Sequence, residues 1–387
     1  MRSNKSKINR KNIIFGIITV LIPLLILEII FRISSVKQGH TLRLLGKYYY
    51  NILPLGIPDS SIIKSSSTNN NEYVIFDSTL GWKLKNNGTS PPLYYASSQG
   101  FRISRDEFLM DKNIDSADII TIGNSFTHGD EVLHENSWPY ILGKMSNKTV
   151  VNLGVSGYGI DQAILRYMHS SIKTDMVILG IVPDDFDRAT RILYRGIYYG
   201  GLKSKPMFQF QSNGEYNIVN QPCLIGIDLL KEFNLGIRSD FMKLEKNYDD
   251  MLFKNEFMDY SILYRILKMF RYRNNYVKPP IYHRDSEDSD YKYILSILNV
   301  FFNECQKNKV SPIIVLFDNY NHIMQYDQPW KNMIHDINKI GFLVVEPQDS
   351  IISLYKIKPN SVINDGGNHF TPMVNELIAK NLHNQIR

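Results

Sequence analysis

The fold is decided by the stretch Asp118-Ile-Ile-Thr-Ile-Gly-Asn-Ser-Phe-Thr-His-Gly129. Its first half, residues 118–122, is a short apolar run of the kind that forms a strand buried on both faces of a sheet. Its second half puts Ser125 just past that strand, between two glycines and at the opening of a helix. A serine in this position presents its hydroxyl at the rim of the sheet, where nearby backbone N–H groups can receive an oxyanion. A helix-capping role fits the same serine, and Thr127 excludes the Gly-x-Ser-x-Gly elbow of α/β-hydrolases.

Four further apolar runs repeat the strand pattern downstream, at residues 149–153, 176–182, 311–317 and 341–345. Segments with helical periodicity lie between several of these runs. Thr371 and Pro372 mark the start of a last helix. Alternating strands and helices predict an α/β fold, with a parallel sheet covered by helices on both faces. A long Tyr- and Phe-rich insertion at about 188–290 interrupts the order between the third and fourth strands.

The segments that follow the strands carry the candidate chemistry, because ligands bind beyond the carboxyl ends of parallel strands. The second strand leads into a run with three glycines, of which Gly157 is the middle one. The third strand leads into Pro183-Asp184-Asp185. Just before the last helix comes Asp365-Gly-Gly-Asn-His369, an acid and a histidine on one loop. That pairing suits a base whose tautomer is held by a carboxylate.

This set of segments, in this order, resembles the SGNH (GDSL-like) family of serine hydrolases and acyltransferases, membrane-anchored bacterial members in particular. The resemblance implies a three-layer flavodoxin-like sheet. It also implies Ser125 as nucleophile, His369 as general base and Asp365 as the carboxylate that orients it. The N–H groups of Ser125 and Gly157 would form part of an oxyanion hole, with the residue at Asp184 as its third member.

Three departures from the family pattern stand out. Asn124 replaces the usual aspartate, Asp184 replaces the asparagine that donates to the oxyanion, and the spacing from Asp365 to His369 is one residue longer. An ionised carboxylate repels an oxyanion, and one lost donor costs ~3–4 kcal/mol. Burial beside another acid would raise the pKa of Asp184 and make it a neutral donor. The paired exchange at 124 and 184 conserves charge, which fits a hydrogen bond between the two loops.

The N-terminus predicts a membrane anchor. Residues 13–33 are almost wholly apolar and approach the ~20 residues that cross a bilayer, and the basic tail at 1–12 keeps the N-terminus cytoplasmic. The alternative is a cleaved signal peptide, but the sequence after the span is a poor cleavage site. We therefore expect a single-pass protein with a tether at 34–76 and an extracytoplasmic SGNH-like domain at 77–387 that contains the insertion.

The composition limits which partners and cofactors the sequence predicts. Of the 44 basic residues, five lie in the first eleven, which leaves 39 against 38 acidic side chains. This balance does not predict a nucleic-acid surface. Cys223 and Cys305 are expected as packed thiols rather than a disulfide. The histidines form no metal-ligand spacing, so neither a metal nor another cofactor is predicted.

These observations predict an extracytoplasmic serine esterase or O-acyltransferase, and the resemblance adds an acetylated surface glycan as the substrate. The alternative is a catalytically silent binding or assembly protein in cell-surface polysaccharide handling. His128 is an alternative base because it lies close to Ser125. In the insertion, residues 262–273 predict a helix with an apolar face at Leu263, Ile266, Leu267 and Phe270. That face fits docking on its own domain or on a membrane.

Overall fold

The computed structural model describes residues 10–38, 41–44, 48–51, 72–110, 114–194, 203–246, 248–249, 251, 254, 256–276, 279–325 and 330–386. Most of the predicted basic tail and the middle of the predicted tether lie outside these residues. The chain divides into two compact units. Unit 1 combines residues 1–59, 233–242 and 247–278, and unit 2 combines residues 60–232, 243–246 and 279–387.

The strands are β1 (Ser35–Gln38), β2 (Thr41–Leu44), β3 (Tyr48–Asn51), β4 (Val74–Asp77), β5 (Gly81–Leu84), β6 (Thr89–Ser90), β7 (Tyr94–Ala96), β8 (Arg102–Ile103), β9 (Ser116–Gly123), β10 (Val150–Asn152), β11 (Lys173–Ile181), β12 (Met207–Phe210), β13 (Tyr216–Val219), β14 (Ser311–Leu316) and β15 (Leu343–Val345).

The α-helices are α1 (Arg10–Ser34), α2 (Arg105–Leu109), α3 (Ser125–His128), α4 (Trp138–Ser146), α5 (Ile160–Met168), α6 (Asp184–Ala189), α7 (Gly226–Leu235), α8 (Asp240–Lys243), α9 (Ile262–Tyr276), α10 (Ser289–Lys307), α11 (Tyr320–Gln325), α12 (Lys331–Ile340), α13 (Gln348–Ile357) and α14 (Pro372–Gln385).

Unit 2 is built on an eight-stranded sheet with the order β15-β14-β11-β9-β10-β8-β7-β6. The five strands from β15 to β10 are parallel, and β8, β7 and β6 extend the sheet in antiparallel fashion. Numbered along the chain, the parallel strands have the order 2-1-3-4-5, which is the flavodoxin-like order. All five predicted strands are present, and the predicted α/β fold is confirmed.

Alternation along each central strand explains the two covered faces. Ile119 packs into one apolar cluster while its neighbour Ile120 packs into another, and Ile313 and Ile314 on β14 divide in the same way. Because successive side chains of a strand point to opposite faces, such runs must be covered on both sides. Helices α5, α10 and α12 cover one face, and α4, α13 and α14 cover the other.

Sheet order fixes the position of the candidate site. From β9 the chain passes outward to β10, then returns past β9 to β11, so the order reverses at β9. Gly123 at the end of β9 lies opposite Gly180 of β11 in the ladder. In open sheets of this type, ligands bind where the strand order reverses, beyond the carboxyl ends of the strands. Ser125 follows β9 directly at that point.

Unit 1 contains α1 and part of the insertion. Within the described residues, one helix is long and apolar enough to cross a membrane, at Ile14–Ile33. Helix α9 from the insertion packs against α1 inside this unit. Cys223 and Cys305, both in unit 2, are buried free thiols, as predicted.

Candidate active site

Ser125 is the first residue of α3, which begins immediately after β9. Asn124 caps this short helix, since its side-chain oxygen accepts a hydrogen bond from the Phe126 N–H at 2.8 Å. The Ser125 side chain is nearly buried. No described group bonds its hydroxyl or its backbone N–H, and the first N–H groups of a helix have no intrahelical acceptor. Ser125 therefore offers a nucleophilic oxygen and a free donor at one point.

Glycines allow the serine turn to sit this deep against the sheet. A Cβ added to Gly154 would lie 2.5 Å from the His128 nitrogen, and one added to Gly180 would strike the Thr127 hydroxyl. Both contacts are far shorter than real Cβ contacts, so larger residues would push the turn away from β10 or β11. These two glycines, each following or ending a strand, hold the turn in place.

The run that follows β10 is bonded directly to the serine turn. The Asn152 side-chain amide donates to the Thr127 carbonyl at 2.9 Å, and its oxygen accepts from the Gly154 N–H at 2.9 Å. The Val155 N–H donates to the Gly123 carbonyl at 3.1 Å. These hydrogen bonds join the loop after β9 to the loop after β10, so the two loops form one unit at the edge of the sheet.

Gly157 occupies the left-handed region of the backbone, with φ of 81°. A Cβ here would lie 2.5 Å from the Tyr194 hydroxyl. Tyr194 packs edge-on against Trp82 with ring centroids 5.0 Å apart, and the Trp82 indole donates to the Ser156 carbonyl at 3.0 Å. Gly157 thus lies directly beside the Tyr194 ring, which packs on Trp82. No described group accepts a hydrogen bond from the Gly157 N–H.

His369 lies beside the serine helix. Its ring packs on Phe126, the residue after Ser125, with centroids 5.0 Å apart. Its Nδ1 lies 2.7 Å from Oε1 of Glu131, and the same carboxylate accepts from the His369 and Asn368 N–H groups at 3.3 Å. Nε2 bonds no described group. Burial alone would raise the pKa of Glu131, but the hydrogen bond from His369 and the backbone donors bring this pKa below its usual value.

Asp365 does not orient the imidazole, contrary to the prediction. Its carboxyl group is exposed on the turn before His369, and the carboxylate at Nδ1 is that of Glu131. Glu131 lies against the loop between Asp365 and His369, where a Cβ added to Gly367 would overlap its Oε2. Glu131 lies six residues after Ser125 with a positive φ of 67°. Sequence reasoning missed it because no strand end marks it.

The loops after β9 and β11 are joined by a buried hydrogen-bonded pair. The Asn124 amide donates to both oxygens of Asp185, at 2.8 and 2.7 Å, and Arg188 and the Val182 N–H bond the same carboxyl at 2.7 and 2.9 Å. Burial raises the pKa of Asp185 to about 7, against the opposing effect of Arg188 and the N–H donors. The predicted bond between the two loops exists, but its acid is Asp185.

Asp184 was predicted in that buried position, and the structure corrects this. Its side chain is 68% exposed and lies 3.8 Å from the Arg188 guanidinium. Both residues begin α6, where neighbouring side chains point about 100° apart, so only one of them turns inward. The buried acid of this loop is therefore Asp185 and not Asp184.

His128, the alternative base, is committed elsewhere. Its Nε2 lies 2.7 Å from the Tyr73 hydroxyl and its Nδ1 lies 2.5 Å from Asp130. Asp130 also accepts a short hydrogen bond from the Ser156 hydroxyl. Burial and the nearby Arg102 lower the pKa of His128. Since both ring nitrogens are engaged, His128 serves to tie the serine turn to the glycine run.

Comparison with known proteins gives structural matches only. No protein-family model matches the sequence, and no curated protein does. One matching solved structure is a lipolytic protein of the G-D-S-L family from Desulfitobacterium hafniense, described in its own name as putative. It is 11% identical, with a TM-score of 0.31, and the match covers 70% of this chain and 98% of that one.

Two further matches are described as esterases. The psychrotrophic esterase EstA from Pseudoalteromonas sp. is 10% identical, with a TM-score of 0.35 and coverage of 70% of this chain and 96% of its own. An acetyl xylan esterase, Est2A, from Butyrivibrio proteoclasticus is 8% identical, with a TM-score of 0.31 and coverage of 79% and 67%. These identities and TM-scores are low. The fold assignment therefore rests on the strand order of the sheet, and the likeness to the SGNH (GDSL-like) family on the segments around Ser125.

Proposed function

We propose that this protein is a serine esterase or O-acyltransferase in which Ser125 is the nucleophile and His369 the general base. The observation that carries the proposal is the placement of the imidazole. Its Nδ1 is held by Glu131 at 2.7 Å, and its ring packs on the residue that follows Ser125. A carboxylate at Nδ1 fixes the tautomer in which Nε2 accepts a proton. Glu131 therefore takes the role expected of Asp365.

The first half of the reaction forms an acyl-enzyme. Ser125 Oγ attacks the carbonyl carbon of an ester while His369 Nε2 takes the hydroxyl proton. The bond to the alcohol oxygen then breaks, and that oxygen receives the proton from the imidazole. The acyl group stays on Ser125. Glu131 stabilises the imidazolium that forms between these two steps.

The second half releases the acyl group. Water, or a sugar hydroxyl in a transferase, gives its proton to His369 and attacks the acyl carbon. The bond to Ser125 Oγ breaks and the serine recovers its proton. Hydrolysis and transfer thus differ only in the acceptor oxygen.

The oxyanion of each intermediate would be received by the N–H groups of Ser125 and Gly157. Both are free of other acceptors among the described residues. Asn124 is not a third donor, because its amide is occupied by Asp185. The proposed hole therefore has two backbone donors, and neither Asn124 nor the exposed Asp184 adds the side-chain donor typical of the family it resembles.

The apolar helix at Ile14–Ile33 supports a proposal for the location of the protein. We propose that it spans the membrane, with the basic N-terminus in the cytoplasm and unit 2 outside. An esterase or transferase held at the outer surface would meet surface glycans, so an acetylated glycan is the proposed substrate. The half-buried ring of Tyr194 beside Gly157 suits a sugar ring.

One observation favours a second candidate, a catalytically silent binding protein. The residue that follows β11 where a donor is expected is the acid Asp184. Its exposed carboxylate gives no stabilisation to an oxyanion.

Cleavage of p-nitrophenyl acetate by the full chain in detergent micelles separates the two candidates. An enzyme should show activity that Ser125→Ala and His369→Ala both abolish, whereas Ser296→Ala, a change on α10, leaves it intact. Replacing the exposed Asp184 with Asn should preserve or increase activity. A folded wild-type protein that shows no such activity would establish the silent alternative.

A further inference from the structure

Helix α9 exposes two of the four residues of its apolar face, while Leu263 and Ile266 are half-buried. Leu267 and Phe270 on that face are 64% and 50% exposed. On the opposite side, the Lys268 side chain is only 4% exposed and Tyr272 is buried. In water, an amphipathic helix buries its apolar stripe and exposes its charges.

The buried charge of Lys268 on the inner side of α9 is paired with an acidic side chain. The Lys268 ammonium lies 3.0 Å from both oxygens of Asp259, whose side chain is also buried. A buried charge is strongly destabilising unless it is paired. Because Lys268 has its partner, the outward position of Leu267 and Phe270 is the stable orientation of this helix.

The start of α9 is bonded to the apolar helix α1. Glu28 lies inside the apolar segment of α1, and its carboxylate accepts from the Ser261 hydroxyl at 2.9 Å and from the Ile262 and Leu263 N–H groups at 3.0 Å. Arg32 also bonds it, at 2.7 Å. An ionisable group within a membrane span requires partners, and the free N–H groups at a helix N-terminus supply them.

This bond sets the depth of α9. Glu28 precedes Ile33, the end of the apolar segment, by five residues, which is roughly 7 Å along a helix that rises about 1.5 Å per residue. If α1 spans the membrane, α9 must begin at the boundary between headgroups and acyl chains.

The residues around that start have the side chains that such a boundary selects. Phe257 is 85% exposed, and Met258 and Tyr260 are exposed beside it. We call these three exposed residues, together with Leu267 and Phe270, the apolar platform. Aromatic side chains are enriched at membrane interfaces, where one part of the ring is in lipid and the other near water.

We propose that the apolar platform lies in the outer leaflet, at the headgroup–acyl boundary, as a second membrane contact of this protein. The proposal rests on the proposed membrane span. The occupant is the bilayer because the platform continues from α1 through the Glu28 bonds. The insertion between β11 and β14 thereby gains a function: it fixes unit 1 against the membrane surface.

A lipid-quenching experiment tests the platform. Phe257→Cys and Phe270→Cys are labelled with the fluorophore NBD, and the full chain is placed in vesicles of phosphatidylcholine and phosphatidylglycerol with spin-labelled lipids. Cys223 and Cys305 are buried, and burial raises the pKa of each thiol to about 12. The unsubstituted chain should therefore remain unlabelled.

Two further probes make the result decisive. Leu21→Cys reports the span itself, and Ile357→Cys reports an exposed position on α13 in the other unit. We expect shallow spin labels to quench positions 257 and 270 several-fold more than position 357, and deep labels to quench position 21.

Quenching at 21 but not at 257 or 270 would overturn the platform and leave the span. No quenching at 21 would instead refute the span, while ester cleavage still reports the chemistry. Fluorescence at 257 and 270 that responds to a second copy of the chain but not to spin-labelled lipid would show a dimer surface and overturn the proposal.

Discussion

At the scale of single residues, the main result is that Glu131 and not Asp365 holds His369. The sequence suggests Asp365 because it shares a loop with His369. However, two residues of one loop need not bring their side chains into contact. The contact is made from the other side of the site, by a carboxylate on the turn that also carries Ser125. Strand ends mark Ser125 and Gly157 in the sequence, whereas a partner within a turn leaves no such signal.

Glu131→Gln should therefore lower kcat by roughly 10²–10⁴-fold, since a carboxylate that fixes the tautomer and stabilises the imidazolium contributes about this much. Asp365→Asn is the matched control, because its exposed side chain bonds nothing described. It should keep nearly full activity on p-nitrophenyl acetate. The same loss in Asp365→Asn, with Glu131→Gln active, would restore the original assignment.

The buried pair of Asn124 and Asp185 gives a second prediction at this scale. Asn124→Asp alone puts two carboxyl groups within hydrogen-bond distance, and should lower the free energy of unfolding by about 3–5 kcal/mol. The double variant Asn124→Asp with Asp185→Asn restores an amide facing a carboxylate and should recover much of that loss. Thermal unfolding of all four proteins forms a double-mutant cycle. A double variant less stable than Asn124→Asp would refute this pairing.

At the scale of elements, strands were easier to predict than helix faces. Each central strand contains a continuous run of buried residues, and this pattern has one solution in an α/β sheet. The apolar stripe of α9 was equally clear, but periodicity shows only that a stripe exists and not what covers it. Here Lys268 and Asp259 fill the inner side, so the stripe turns outward. The prediction for Asp184 was wrong for a related reason. Asp184 and Asp185 are adjacent acids at the start of α6, and the sequence does not show which of the two is buried.

The run after β10 offers a test of one element. Gly157→Ala meets both a left-handed backbone and the Tyr194 ring, whereas Gly214→Ala has a similar φ of 85° with nothing within 4 Å of its Cβ. Both changes should cost about 1–2 kcal/mol of stability from the backbone. Only Gly157→Ala should also lower kcat, by roughly 10²-fold or more, because it moves an oxyanion donor. Equal activity in the two variants would mean that the Gly157 N–H does not receive the oxyanion.

At the scale of the whole molecule, the order of the parallel strands was implied by resemblance and is confirmed, while the insertion was not foreseen in detail. It divides between the two units, and no local pattern marks the points where it passes from one to the other. The predicted domain limits therefore stay predictions.

Topology is tested on the full chain. A reporter active only outside the cytoplasm, fused after Arg387, should give signal, because the basic tail holds the N-terminus inside. A reporter active only in the cytoplasm serves as the matched control and should stay silent. The reverse pattern would place unit 2 in the cytoplasm and remove surface glycans as substrates.

The most direct test of the proposed chemistry is covalent labelling of the full chain with a fluorophosphonate, which reacts with an activated serine hydroxyl. We predict a single adduct, located by peptide mass spectrometry on Ser125, that is lost in Ser125→Ala and strongly slowed in His369→Ala and Glu131→Gln. A folded wild-type protein that takes up no label, or takes it up equally after His369→Ala, would contradict a serine–histidine–glutamate site.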